Sequence, residues 1–227
     1  KVFTDRGGIR TNYHLVREGG GEYFHPYQVM FESLTELTGK PLYHYRAYEL
    51  LVTLDLEVYK AVRRLIVPAD IEFSQLHKVL QDVFSWGNQH LHEFSLYDDR
   101  SGELITMLVR LRTLGCSPQS SLAGRLRLVR FFPKYKSIVY TYDMGDNWEH
   151  DIELVRVIED YEQESPYLLE ASGQAPPENI GGVPNYLDFR GIMLNPKHPR
   201  HKEAREWAVH WNLELPDWKK RPRPICV

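Results

Sequence analysis

Residues 137–143 and 148–158 are two runs rich in β-branched and aromatic side chains, separated only by Met144-Gly145-Asp146-Asn147. Runs of that kind joined by so short a polar break can meet only as an antiparallel hairpin. An isolated hairpin is barely stable in water, so the chain must supply further strands to cover it. In the second run the period of two puts Trp148, His150, Ile152 and Leu154 on one face.

Other segments supply them. Residues 46–56 and 58–67 are rich in Val, Ile, Leu and Tyr and read as strands, the second ending at Pro68. Ser74 is the expected N-cap of a helix with Leu76, Val79, Leu80, Val83 and Phe84 on one face, stopping near Gly87. His90 to Tyr97 reads as a strand, followed by a turn at Ser101-Gly102. Strand, strand, helix, strand is a β-grasp-like opening. The expected fold class is therefore α+β: a mixed or antiparallel sheet with packed helices, plus an N-terminal helical extension. Gly124 to Phe132 alternates as another strand, 159–185 reads as an ordered loop or lid, and a last helix is expected at 199–212.

The expected boundaries are an extension at 1–44 with one helix between Pro26 and Gly39, the α+β domain at 45–215, and a C-terminal tail at 216–227 that frays. A 42% hydrophobic, 26% charged chain with net charge −3 can build a core and is not disordered. No apolar run approaches the ~18 residues of a membrane span, and KVFTDRGG is no hydrophobic leader. Cys116 and Cys226 make neither a disulfide framework nor a CxxC knuckle. These features point to a soluble, cytoplasmic protein with no membrane partner.

Charge is uneven along the chain. Acidic residues crowd 143–164, with Arg156 as the one opposing cation, whereas Arg110, Arg112, Arg125, Arg127, Arg130, Lys134 and Lys136 face no acid within 110–136. Together with Lys219, Lys220, Arg221 and Arg223, the basic stretch would suit nucleic acid. A sequence pI near 6.4 argues against a dedicated nucleic-acid binder.

Chemistry-bearing residues fall in three motifs. His90 and His92 in HLHEF would share one face of a strand, a serviceable pair of metal ligands. Asp143, Asp146, Trp148 and His150 crowd YDMGDNWEH more densely than a turn requires. Glu178 is the charged side chain of the stiff, Gly-permissive APPENIGGVPN loop. Phosphate-loop, GxSxG and HExxH patterns are absent.

These motifs, in this order, resemble the plasmid pRiA4b ORF-3-like family. The resemblance rests on Arg63-Arg64 with Val67-Pro68, Leu76-His77, Trp86 with His90 to Phe94, Tyr142 to His150, and Pro176 to Gly182. It spans Tyr45 to Trp211, with Met144 where the family has Phe and Asn179 where it has Asp. The resemblance implies a compact α+β domain, in some members carried by transposable elements or plasmids. It implies no activity.

The leading expectation is a ligand-binding or interaction domain whose pocket of His90, His92, Asp143, Asp146, Trp148, His150 and Glu178 takes a small polar ligand or a protein. The alternative is a metal-dependent hydrolase of phosphoester type. There His90, His92 and His150 would hold a divalent transition metal such as zinc, with Glu178 as general base. Weak association with nucleic acid is the third.

Overall fold

The structure, a computed structural model, describes residues 45–98, 101–111, 126–161, 163, 165–210 and 223–225. The N-terminal extension, Cys116, Cys226 and, of the basic stretches, Arg112, Arg125, Lys219, Lys220 and Arg221 lie outside these residues.

The chain opens with β1 (Tyr45–Asp55) and β2 (Lys60–Pro68), an antiparallel hairpin running from Asp55↔Lys60 to Ala47↔Pro68. Strand alternation turns Tyr48, Leu50, Val52 and Leu54 of β1 into the core, together with Ala61, Leu65 and Val67 of β2. Each such large aliphatic side chain contributes about 2 kcal/mol of burial.

The helix α1 (Phe73–Phe84) lies against this face: Phe73 packs at a tilt against Phe94, and His77 bonds the Tyr140 hydroxyl. Its N-cap is Glu72, two residues before the expected Ser74, because Gln75 reaches back to accept the Glu72 N–H. It ends before Gly87, at Ser85, whose φ of 64° is left-handed. The Ser85 and Trp86 N–H groups return to Asp82 and Gln81, satisfying the terminal carbonyls.

Beyond it come β3 (His92–Tyr97), β4 (Leu104–Leu111), β5 (Ser137–Tyr142), β6 (Trp148–Tyr161) and β7 (Tyr167–Ser172). Two helices follow, α2 (Gly182–Leu194) and α3 (His201–His210), then the short β8 (Arg223–Pro224). The sheet order is β4-β3-β5-β6-β1-β2-β7-β8, and every pairing described is antiparallel.

This overturns the expected α+β, β-grasp-like architecture: the protein is an open, eight-stranded antiparallel sheet in which helices are the minor component. The element order is as read, but the pairing is not. A β-grasp pairs its first strand in parallel with its last, whereas here every pairing described is antiparallel and the β5–β6 hairpin stands between β3 and β1. The cause is the length of β6. Its first residues, Trp148 to Glu153, pair with β5, and His150 to Tyr161 pair with β1.

Three further expectations change. Around Leu126 a single bridge, Glu72↔Arg127, and a turn of 3₁₀ helix at Leu128–Arg130 replace a strand. The 159–185 stretch contains β7 and the start of α2 instead of a loop throughout. The tail does not fray at Arg223–Pro224, which pair with Tyr167 and Leu168 while Ile225 is buried and Arg223 bonds Asp82 at 2.6 Å. No helix among the described residues is long and apolar enough to cross a membrane.

Candidate functional site

Three loops meet at the ends of β3, β5 and β6. The loop after α1 is tied to 174–182 by Trp86, whose indole N–H donates to the Pro176 carbonyl at 2.8 Å. The β5–β6 turn is tied to the same segment by Asp146, whose Oδ2 accepts the Gly181 N–H at 2.9 Å. Gly181 has φ 90°, a left-handed conformation that favours glycine.

Glu178 and Asp143 sit where these loops join, 8% and 7% exposed. Glu178 Oε1 accepts the Gly87 N–H at 2.7 Å and the Tyr142 hydroxyl at 2.9 Å. Asp143, at φ 56°, begins the turn, and its Oδ1 accepts from the N–H groups of Gly145 and Asp146. The second oxygens, Glu178 Oε2 and Asp143 Oδ2, each lie 3.5 Å from Nε2 of His90. That is an electrostatic contact too long for a hydrogen bond. Among the described residues no lysine or arginine pairs with either carboxylate.

His90 reaches this point because it is not in the strand. The β3–β5 ladder ends at His92↔Tyr142, so HLHEF does not put both imidazoles on one face. His92 turns inward instead and stacks on His77 with ring centres 3.5 Å apart and planes within 5°.

Behind the rim is a buried polar ring. The Asn88 N–H donates to Gln81 Oε1, the Gln81 amide to the Tyr140 hydroxyl, that hydroxyl to His77 Nδ1, and His77 Nε2–H back to Asn88 Oδ1. The circuit closes on itself and fixes His77 as the neutral Nε2–H tautomer. Desolvation lowers the His77 pKa. Burial, with His77 beside it, pushes His92 down to about 3.

His150 is fully enclosed, edge-on to Phe84 and Trp86 and tilted against Tyr140. Its Nδ1 donates to the Tyr140 carbonyl at 3.1 Å. Burial pushes its pKa down to about 3 against that bond. Trp148 is likewise a core side chain, 1% exposed and opposite Tyr142 in the ladder.

Arg63 completes this wall. Buried over Phe84, it donates to the Val83 carbonyl in the last turn of α1 and to the carbonyls of Ser172 and Gly173. Desolvation lowers its pKa to about 10.

Of the seven side chains expected in one pocket, the structure brings together His90, Asp143 and Glu178, with Asp146 bracing the loop. His92, Trp148 and His150 belong to the interior. The three histidines expected to hold zinc face different neighbours, and among the described residues no three His, Cys, Asp or Glu side chains are arranged to hold a metal ion. The hydrolase built on that triad therefore has no geometry behind it. Within the basic stretch, Arg127 is engaged by Asp70 and Glu72, and Lys134 lies over Tyr135.

Residues not singled out from sequence are Tyr142, which holds Glu178, and the Tyr140, Gln81 and Asn88 of the closed circuit. Their one signal was His77 and Gln81, polar and four apart on the otherwise apolar face of α1.

Known proteins agree with this architecture. The family described as plasmid pRiA4b ORF-3-like protein matches residues 46–220. The uncharacterized protein y4hQ of Sinorhizobium fredii (strain NBRC 101917 / NGR234) is 38% identical over 159 residues, covering 70% of this chain and 79% of that protein. The crystal structure of MM3350, a protein of unknown function from Methanosarcina mazei Go1, is similar with a TM-score of 0.65 and 26% identity, over 78% of this chain and 96% of that one. Matched across most of its length, and carrying all three motifs at one meeting of loops, the chain belongs to the plasmid pRiA4b ORF-3-like family.

Proposed function

We propose that the domain is a binding module whose ligand seats at His90, Asp143 and Glu178. One observation carries this reading. Two carboxylates more than nine-tenths buried each spend one oxygen on the scaffold and leave the other without a hydrogen bond among the described residues, facing the His90 imidazole. Buried charge left in that state is costly and serves no packing purpose. It is the arrangement of a site that a ligand completes.

The reading has a test that needs no ligand. In Glu178→Gln and Asp143→Asn the scaffold-bound oxygen is kept, and an amide N–H₂ faces His90 in place of the idle oxygen. Both variants should unfold at the wild-type Tm or higher, as neutralising a functional site commonly does. A fall of more than about 4 °C, equivalent to about 1 kcal/mol or more in a chain this size, would make the cluster structural and end the proposal.

A further inference from the structure

We infer that the group this site takes is a primary ammonium, borne by a small amine or by a lysine side chain; the inference rests on the binding reading just given. The sign of charge comes first. Asp143 and Glu178 have no lysine or arginine partner among the described residues, so a cation is favoured and an anion repelled.

The number of open acceptors comes next. Among the described residues Asp143 Oδ2, Glu178 Oε2 and His90 Nε2 find no hydrogen-bond partner, and the last is shielded from solvent. With His90 neutral and protonated at Nδ1, all three atoms accept, and an ammonium brings three N–H donors.

Competing cations fit less well. A guanidinium recognises both oxygens of one carboxylate through its planar fork. Here Glu178 Oε1 is already held by Gly87 and Tyr142, and Asp143 Oδ1 by Gly145 and Asp146. A quaternary ammonium has no N–H and needs open aromatic faces. Trp86 is already stacked on both Phe84 and Tyr142. A metal ion would need three side chains in ligand geometry, and none is so arranged among the described residues.

The experiment is amide-detected NMR on the full chain, following the backbone N–H of Gly87, which bonds Glu178, and those of Gly145 and Asp146, which bond Asp143. The probes are cadaverine, its trimethylammonium analogue, zinc chloride, inorganic phosphate and an end-blocked Gly-Lys-Gly peptide. Cadaverine should shift these amides saturably, with affinity at least about tenfold weaker in Glu178→Gln and for the trimethylammonium analogue, since charge-assisted hydrogen bonds are what is lost.

A response to the peptide at concentrations where cadaverine gives none assigns the ammonium to a partner's lysine. Equal binding of the trimethylated analogue overturns the ammonium assignment, and so does a response confined to zinc or phosphate; either leaves a binding site standing. Silence from every probe also overturns it. If that silence is joined by a lowered Tm in the two amide variants, the binding reading falls too.

Discussion

Two groups of polar side chains lie within one residue's reach of each other and follow opposite rules. Inside, His77, Tyr140, Gln81 and Asn88 close a hydrogen-bonded circuit, with His92 stacked on it and His150 walled in by aromatic rings. At the rim, His90, Asp143 and Glu178 stand near each other without bonding. The interior disposes of its polarity by staying neutral and pairing internally. The rim keeps charge and leaves part of it unused. Satisfied polar groups specify a packing, whereas half-satisfied ones point outward to something else.

The sharpest way to test the interior's neutrality is acid. His92 and His150 have native pKa values of about 3, against about 6.5 unfolded. Above pH 6.5 both are neutral in either state and stability is whole. As pH falls from 6.5 toward 3 only the unfolded chain takes up the protons, so stability is lost by about 1.4 kcal/mol per unit for each histidine. Between pH 7 and pH 5 the pair should cost about 4 kcal/mol, measured by urea unfolding across a pH series. His150→Phe should remove about half of that slope. A slope unchanged in the variant would mean that the enclosed imidazole does not behave as its surroundings require.

A smaller effect compares two hydroxyls on one strand. Tyr140→Phe strands His77 Nδ1 and the Gln81 amide in the interior, and should destabilise by about 3 kcal/mol. Tyr142→Phe removes one of the two donors to Glu178 Oε1, which keeps the Gly87 N–H, and the acceptor of the part-buried Gln89 N–H, and should cost about 1 kcal/mol. Equal losses in denaturant unfolding would erase the distinction between circuit and rim.

How far these regions were legible in the sequence differs for physical reasons. The hairpins were plain, because alternation over 137–143, 148–158 and 46–67 is dictated by a sheet with one buried face. The order of strands was not. Nothing local says that β6 is long enough to pair with β5 and β1 in turn and so drive β3 away from β1. Helix α2 was hidden because it begins within the Gly-Gly-Val-Pro segment that reads as loop, Pro184 being tolerated only because it falls in the first turn.

At the candidate site, Asp143 was singled out through the density of chemistry-bearing residues in its motif, and Glu178 as the charged side chain of the APPENIGGVPN loop. His90 was found for the wrong reason. The apolar-polar run 90–97 looks continuous, yet pairing stops at His92, and that stop frees His90 to meet the carboxylates. Tyr142 was missed because a tyrosine on an inward strand face reads as core, and its carboxylate partner lies 36 residues away.

The gentlest comparison makes one substitution in two places. Glu49 lies on the opposite face of β1 from the core and is also fully buried, but Arg64 and Arg156 of the neighbouring strands hold both of its oxygens. Burial pushes its pKa up, and the bonds and charges of Arg156 and Arg64 more than reverse this, leaving it lowered. Its contribution is therefore complete above about pH 4.3 and is lost as pH falls below that value. Glu49→Gln should cost about 2 kcal/mol at pH 7, moderated because both arginines are partly exposed and can rehydrate. Glu178→Gln, with no arginine to abandon, should change stability by less than about 0.5 kcal/mol. Equal losses at the two sites in parallel urea titrations would show that Glu178 is held as firmly as Glu49. A carboxylate so held has no free oxygen to offer a ligand, and the difference between paired and waiting charge, from which the binding site is argued, would disappear.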